Sequence, residues 1–225
     1  VHEALTLRAA KIRVPILVLG YTMPELYKKA IDKKISLTIS SLDGLKYIAS
    51  LKPTKRFAIH IKFDTGLHRQ GILESHVQQA LRVISAPTFP AVIEGVYTHF
   101  AAMESPEREG YSLMQIEAFQ TIVTKLNAKG FTPITHASAS SGILFSQKYN
   151  CDMARSGISI YGVWPSKEIK LWARDTQLIP VLSWKTRITE VKLISKGSKI
   201  GYDLTCEVDH DARIAIIPVG YWHGL

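Results

Sequence analysis

Residues 57–85 read FAIHIKFDTGLHRQGILESHVQQALRVIS. The run from Phe57 to Asp64 is apolar enough for a strand covered on both faces. The run around His76 to Ser85 has the spacing of a helix. Between them lies Asp64-Thr65-Gly66-Leu67-His68-Arg69-Gln70-Gly71, a polar loop that follows the strand's C-terminal end. One strand–loop–helix unit cannot bury both faces of its own strand, so it needs neighbours of the same kind.

The neighbours are present on both sides. Upstream, Pro15 to Gly20 and Ile35 to Ile39 read as strands. They are followed by helices from about Pro24, with proline suited to the first turn, and from about Leu42 to Leu51. Downstream, Val92 to Phe100, Pro133 to Ala137 and Met153 to Tyr161 continue the series. The helix after the fourth strand is the clearest. Ser112 and Gln115 have capping-box spacing, then Ile116, Phe119, Ile122, Val123 and Leu126 recur at steps of three and four until Gly130. A short helix is expected over Ser141 to Gln147.

Six such units imply a parallel α/β sheet, either doubly wound or a (β/α)8 TIM-type barrel. No Gly-x-Gly-x-x-Gly turn follows any strand, which weighs against a dinucleotide fold. Six units in 160 or so residues fit a barrel with its first two βα units absent, since a whole one takes roughly 250 residues. After Trp164-Pro165-Ser166 the pattern changes. Val181 to Ile194 alternates like a half-exposed antiparallel strand, a turn follows at Ser195 to Ser198, and Arg213 to Val219 is another apolar strand. The expected organisation is a partial barrel over 1–170 and the start of a mainly β C-terminal domain over 171–225. Both termini read as interrupted: His2 to Arg8 resembles the last turns of a helix, and Gly224-Leu225 follows directly on a strand.

The 225 residues carry 28 Lys and Arg against 19 Asp and Glu, a formal charge of +9. The cations are scattered, with no dense basic block and no interleaved aromatic platform, so no nucleic-acid partner is expected. No apolar run approaches a membrane span of roughly 20 residues. The two cysteines, Cys151 and Cys206, lack metal-ligand spacing, and a reducing cytoplasm is the expected compartment. No metal is expected.

In a parallel barrel, chemistry sits at the strands' C-terminal ends. There this sequence places Lys62, Asp64 and Arg69 after the third strand and Thr98-His99-Phe100-Ala101 after the fourth. His136-Ala137-Ser138-Ala139-Ser140-Ser141-Gly142 follows the fifth, and Arg155-Ser156-Gly157-Ile158 lies in the sixth. Cations, imidazoles, serines and glycine amides converging on one rim suit an anionic ligand, and Ser140 with the Gly157 and Ile158 amides suits a phosphate.

Each residue also has a plainer reading. His99 could be a structural histidine, Lys62 and Asp64 a rim ion pair, Arg69 a surface charge, Ser140 an N-cap, and Tyr202 strand packing. Arg155, within an apolar strand, resists that treatment because a buried guanidinium needs acceptors.

Taken together, Lys-x-Asp-Thr-Gly-x-x-Arg-x-Gly (62–71), Thr-His-Phe-Ala (98–101), Arg-x-Gly-Ile-x-x-Tyr-Gly (155–162) and Gly-Tyr-x-x-Thr (201–205) resemble the alanine racemases in order and spacing. The resemblance implies a pyridoxal 5'-phosphate (PLP) enzyme that interconverts L- and D-alanine, supplies D-alanine for peptidoglycan, and acts as a homodimer. It implies that Arg155 faces the cofactor's ring nitrogen and His99 packs against the ring. It gives Ser140, Gly157 and Ile158 to the phosphate, and Arg69 to the phenolic oxygen and the substrate carboxylate. Lys62 matches a lysine that is carbamylated in many members.

Tyr202 matches the acid/base tyrosine that reaches the partner subunit's site, and Tyr221 one that lines the substrate entrance. The second base, a lysine that binds the cofactor, belongs to a motif not found within 1–225 and is expected upstream. Ala139, Asp203 and Leu67 stand where asparagine, glycine and methionine are common. Asp203 puts a carboxylate beside Tyr202. Alternatives are a serine or broad-specificity racemase, a PLP-dependent decarboxylase, or a non-catalytic PLP-binding fragment.

Overall fold

The structure is a computed structural model, and it describes Val1–Gly224. It divides into two units, 1–179 and 180–225.

The first unit contains strands β1 (Leu17–Val18), β2 (Ser36–Ile39), β3 (Phe57–Asp64), β4 (Ile72–Leu73), β5 (Ala91–Tyr97), β6 (Ile134–Ala139) and β7 (Met153–Arg155). Its helices are α1 (His2–Ala9), α2 (Tyr27–Asp32), α3 (Leu42–Ser50), α4 (Val77–Ile84), α5 (Glu109–Asn127), α6 (Ser140–Phe145) and α7 (Lys167–Trp172). The strands pair in the order β1-β2-β3-β5-β6-β7, all parallel, with β4 paired to the end of β3. Spatial order therefore follows chain order. A doubly wound sheet must reverse its order at a switch point; this one winds in a single direction, as a barrel wall does. The sheet is part of a TIM-type barrel.

Strand alternation sorts the side chains of β3. Ile59, Ile61 and Phe63 enter the apolar core, while His60, Lys62 and Asp64 occupy the intervening positions and are equally buried. Val77, Ala80, Leu81 and Ile84 of α4 and Ile116, Phe119, Ile122 and Leu126 of α5 cover that core from outside. Each fully buried Ile, Leu or Phe stabilises by about 1.5–3 kcal/mol.

Two glycines are required by close approach. Gly71 has φ 144°, and a Cβ there would lie 2.7 Å from the Phe63 carbonyl carbon; its absence lets the loop return beside β3. Gly95 faces the His60 ring so closely that a Cβ would overlap it. The β3–β5 register also slips at this point, between Ile59 and His60.

The structure corrects three local expectations. Helix α5 begins at Glu109, so Ser112 and Gln115 are buried within it and form no capping box. The ladder of β7 ends at Arg155, because the chain turns at Gly157 (φ −123°, ψ −98°) into a single 3-10 turn, Ile158–Tyr161. In the second unit regular pairing covers only Glu190–Ile194 of the run expected from Val181.

Among the described residues, that second unit has two antiparallel pairs. Strand β8 (Glu190–Ile194) pairs with β11 (Ala212–Ile216), and β9 (Lys199–Ile200) pairs with β10 (Cys206–Glu207). Among the described residues, no helix is long and apolar enough to cross a membrane.

Candidate active site

Arg155 ends β7 and turns its guanidinium back over the sheet. Nη1 donates to His136 Nδ1 at 2.7 Å, and Nη2 donates to the carbonyls of Thr98 and Ala137 at 2.9 and 2.8 Å. His99 Nδ1 lies 3.2 Å from the same Nη2. The guanidinium also sits over the Tyr97 ring, 5.0 Å from its centroid, and that ring stacks on His136. Burial lowers the Arg155 pKa to about 10, so the group remains a cation at neutral pH. No acceptor among the described residues takes its Nε–H or its second Nη1 hydrogen.

The neighbouring imidazoles are held neutral. Burial, then the Arg155 charge, brings His136 down to about 3. The same two causes, with Lys62 and Arg69 added, bring His99 down to about 4. Lys62 is buried with its Nζ over Tyr97. Its pKa is lowered by burial first, then by Arg69 and Arg155, with Asp64 opposing.

The plainer reading of Lys62 and Asp64 as a rim ion pair does not hold among the described residues. Asp64 Oδ1 instead accepts the backbone N–H groups of Gly66 and His68, both at 3.0 Å. Burial works to raise the Asp64 pKa, but these N–H donors prevail and hold it below the usual carboxylate range. The rim thus gathers Lys62, Arg69 and Arg155 while its nearest carboxylate is committed to the backbone. Such a site has an electrostatic demand for an anion.

Ser140 is buried at the first turn of α6. Its Oγ accepts from Gly157 N at 2.9 Å and from Ser159 N at 3.3 Å. The hydroxyl proton and the Ile158 amide have no acceptor among the described residues. A Cβ on Gly157 would lie 3.8 Å from Ser140 Oγ, so the approach to these donors is open. Two free donors side by side fit a phosphate, and the free Nε–H of Arg155 fits an aromatic ring nitrogen. The residues present therefore fit PLP.

Helix α5 braces the loops that carry these groups. Gln115 Oε1 accepts from Ala101 N at 2.9 Å and its Nε2 donates to His99 O at 3.2 Å. Tyr111 Oη donates to Gly66 O at 2.7 Å.

The structure thus brings together Lys62, Arg69, His99, Ser140, Arg155, Gly157 and Ile158. Tyr202 and Tyr221 belong to the second unit, where their side chains are 89% and 86% exposed. Tyr202 opens a 3-10 turn in which Asp203 has φ 55°. That is the left-handed region glycine prefers and Asp tolerates better than most. Sequence reasoning missed His60, Glu94, Tyr97 and the role of His136, and it took Gln115 for a cap. All lie in or beside apolar runs, where a lone polar residue gives no periodic signal.

Fold and site together define a barrel protein with a cationic rim whose free donors fit a phosphate, followed by an antiparallel β unit. The family model for the alanine racemase N-terminal domain matches residues 1–165, and that for the alanine racemase C-terminal domain matches 181–225. The chain belongs to the alanine racemase family. It is 34% identical to alanine racemase 1 of Oceanobacillus iheyensis, over 100% of this chain and 59% of that protein.

Among solved structures it resembles the alanine racemase of Bacillus anthracis with bound L-Ala-P (31% identity, TM-score 0.79, 98% of this chain and 57% of that one). It also resembles the histidine racemase of Leuconostoc mesenteroides (29% identity, TM-score 0.77, 98% and 59%). The chain therefore spans a little under three fifths of its relatives' length.

Proposed function

We propose that the full-length protein containing this chain is a PLP-dependent racemase of L- and D-alanine that supplies D-alanine for peptidoglycan. The observation that carries the reading is Arg155: a charged guanidinium, fixed by three acceptors, with Nε–H left free at the rim. When bound, PLP withdraws electrons from the substrate Cα and so acidifies its proton.

The chain's own residues divide the remaining work. Arg155 donates to the ring nitrogen without surrendering its proton, because a guanidinium is a far weaker acid than a pyridinium. That limits electron withdrawal and favours return of the proton over side reactions. Ser140 and the Gly157–Ile158 backbone hold the phosphate. His99, neutral and with Nδ1 facing Arg155, packs against the ring. Arg69 takes the substrate carboxylate.

Lys62, whose amine loses its proton more easily than an exposed one, can add to carbon dioxide and release a proton. The resulting carbamate supplies the anion that the Lys62–Arg69–Arg155 cluster lacks. Tyr202 serves as acid/base on one face of Cα in the partner subunit of a homodimer, with Tyr221 at the substrate entrance. A lysine outside 1–225 serves the other face. The free cysteines Cys151 and Cys206 fit a cytoplasmic location.

The test is optical inversion of L-alanine by the full-length, PLP-loaded protein. Carbon dioxide release would instead make it a decarboxylase, and neither reaction would leave a non-catalytic binder. The likeness to a histidine racemase favours a second reading, in which the side chain accepted is larger than methyl; the rates with L-alanine, L-serine and L-histidine decide it. Borohydride reduction of this chain with PLP should label no lysine stoichiometrically, and specific labelling of Lys62 would overturn its assignment.

A further inference from the structure

The barrel interior carries a continuous line of hydrogen bonds that the rim does not explain. It starts at Arg155 Nη1, which donates to His136 Nδ1 at 2.7 Å. His136 Nε2 lies 2.9 Å from His60 Nδ1. His60 Nε2 lies 3.2 Å from Glu94 Oε2, and the same oxygen accepts from Ser36 Oγ at 2.8 Å. His60 and His136 are almost wholly buried. The Glu94 side chain is 39% exposed and lines a pocket of about 670 Å³ with Ser36, Phe57 and Ala58, toward the strands' N-terminal ends and away from the rim.

The chemistry of the two ends sets the direction of the line. Arginine can only donate and an ionised glutamate can only accept. His136 must then present a bare Nδ1 and a protonated Nε2. His60, receiving that proton at Nδ1, must likewise carry its own on Nε2 and pass it to Glu94. Neither imidazole needs a charge. Burial keeps both pKa values low, although Glu94 works to raise that of His60.

We infer that Glu94 is a positioning residue for Arg155, acting through His60 and His136 as its remote counter-charge and fixing both imidazoles as Nε2–H tautomers. This rests on the reading that Arg155 faces the cofactor ring. A guanidinium anchored only by neutral carbonyls could turn and spend its free Nε–H elsewhere. The two imidazoles give it a directional anchor that ends on a carboxylate, yet they keep that carboxylate away from the anionic ligand at the rim.

The test has two arms. In the first, nitrogen-15 NMR of the imidazoles in the full-length protein reads the tautomers. Both His60 and His136 should carry a single proton, on Nε2, at neutral pH. Glu94→Gln keeps an acceptor and should preserve both, and so should Arg155→Met, because either end alone sets the direction. The double variant Glu94→Leu/Arg155→Met should release them to a mixture. An Nδ1–H on His136 in the unaltered chain, or fixed Nε2–H tautomers in the double variant, would overturn the inference.

In the second arm, kinetics of the full-length, PLP-loaded protein compare Glu94→Leu with Glu94→Gln. Glu94→Leu should lower kcat by about fivefold, the worth of roughly one net hydrogen bond, and leave KM for L-alanine unchanged. Glu94→Gln should recover part of the loss. An unchanged kcat in Glu94→Leu would remove Glu94 from the reaction. If the unaltered protein is inactive, it is the racemase reading that fails, and the NMR arm still judges the relay.

Discussion

Lowering the pH from 7 to 5 should cost the first unit at least about 4 kcal/mol of folding stability, a figure that follows from two histidines, with buried His60 acting in the same direction. His136 has a folded pKa of about 3 and His99 of about 4, against an ordinary value of 6.5. Between the folded and ordinary values only the unfolded chain takes up the proton. The stability due to each group is therefore complete above about pH 6.5 and falls as the pH drops toward the folded value. At pH 5 each accounts for about 2 kcal/mol.

Carboxylates do not blur the window. Asp64 and Asp152 are held below their usual range, so their losses come at lower pH, below about 4. Natural domains are stable by only about 5–15 kcal/mol, so the effect is large enough to move a urea midpoint decisively. The assay is urea unfolding at pH 7, 6 and 5, with His136→Gln in parallel. The variant should lose about 2 kcal/mol of the pH dependence, the His136 share, whatever its absolute stability. A change below about 1 kcal/mol in the unaltered chain, or an undiminished slope in the variant, would refute the argument that these imidazoles are folded neutral.

Other substitutions test the packing around the site. Gln115→Leu leaves the Ala101 N–H and the His99 carbonyl without partners and should cost about 3 kcal/mol in the same urea assay; it should also raise amide exchange at Ala101. Gly71→Ala forces a side chain into φ 144° against the backbone of Phe63 and Asp64. It should destabilise by more than about 3 kcal/mol, and a near-neutral midpoint would show that the loop is held differently. Gly95→Ala should cost about 2–4 kcal/mol through overlap with His60, and His60→Ala in the same chain should recover much of that loss.

The barrel was legible from the alternation of apolar strands and helices, because parallel strands covered on both faces leave continuous apolar runs such as Phe57 to Asp64. The rim was legible for a different reason. Lys62, Arg69, His99 and Arg155 fall at strand ends, where polar residues interrupt those runs. What stayed hidden lies inside them. His60 and Glu94 each look like a single polar lapse in an apolar strand, and their meaning depends on the β3–β5 register, which no local pattern encodes.

Ser112 and Gln115 misled because capping-box spacing is also the spacing of two neighbours on one helical face. Gln115 uses it to reach the His99 loop. The end of β7 was overrun because Ile158 and Ile160 are as apolar as strand residues, and only the turn at Gly157 separates them.

The pairing of Gly95 with the His60 ring also bears on how such a sequence can change over time. Any side chain at 95 is barred while an imidazole stands at 60, so the glycine is held in place by a residue 35 positions away. The ring, in turn, cannot be lost without leaving the His136 proton and the Glu94 carboxylate without each other. A lineage that abandons the relay must therefore lose the histidine before it can fill position 95, whereas the opposite order passes through a protein that folds poorly. The route is one-way, and a relative with alanine or a larger residue at this position should also have lost the imidazole opposite it.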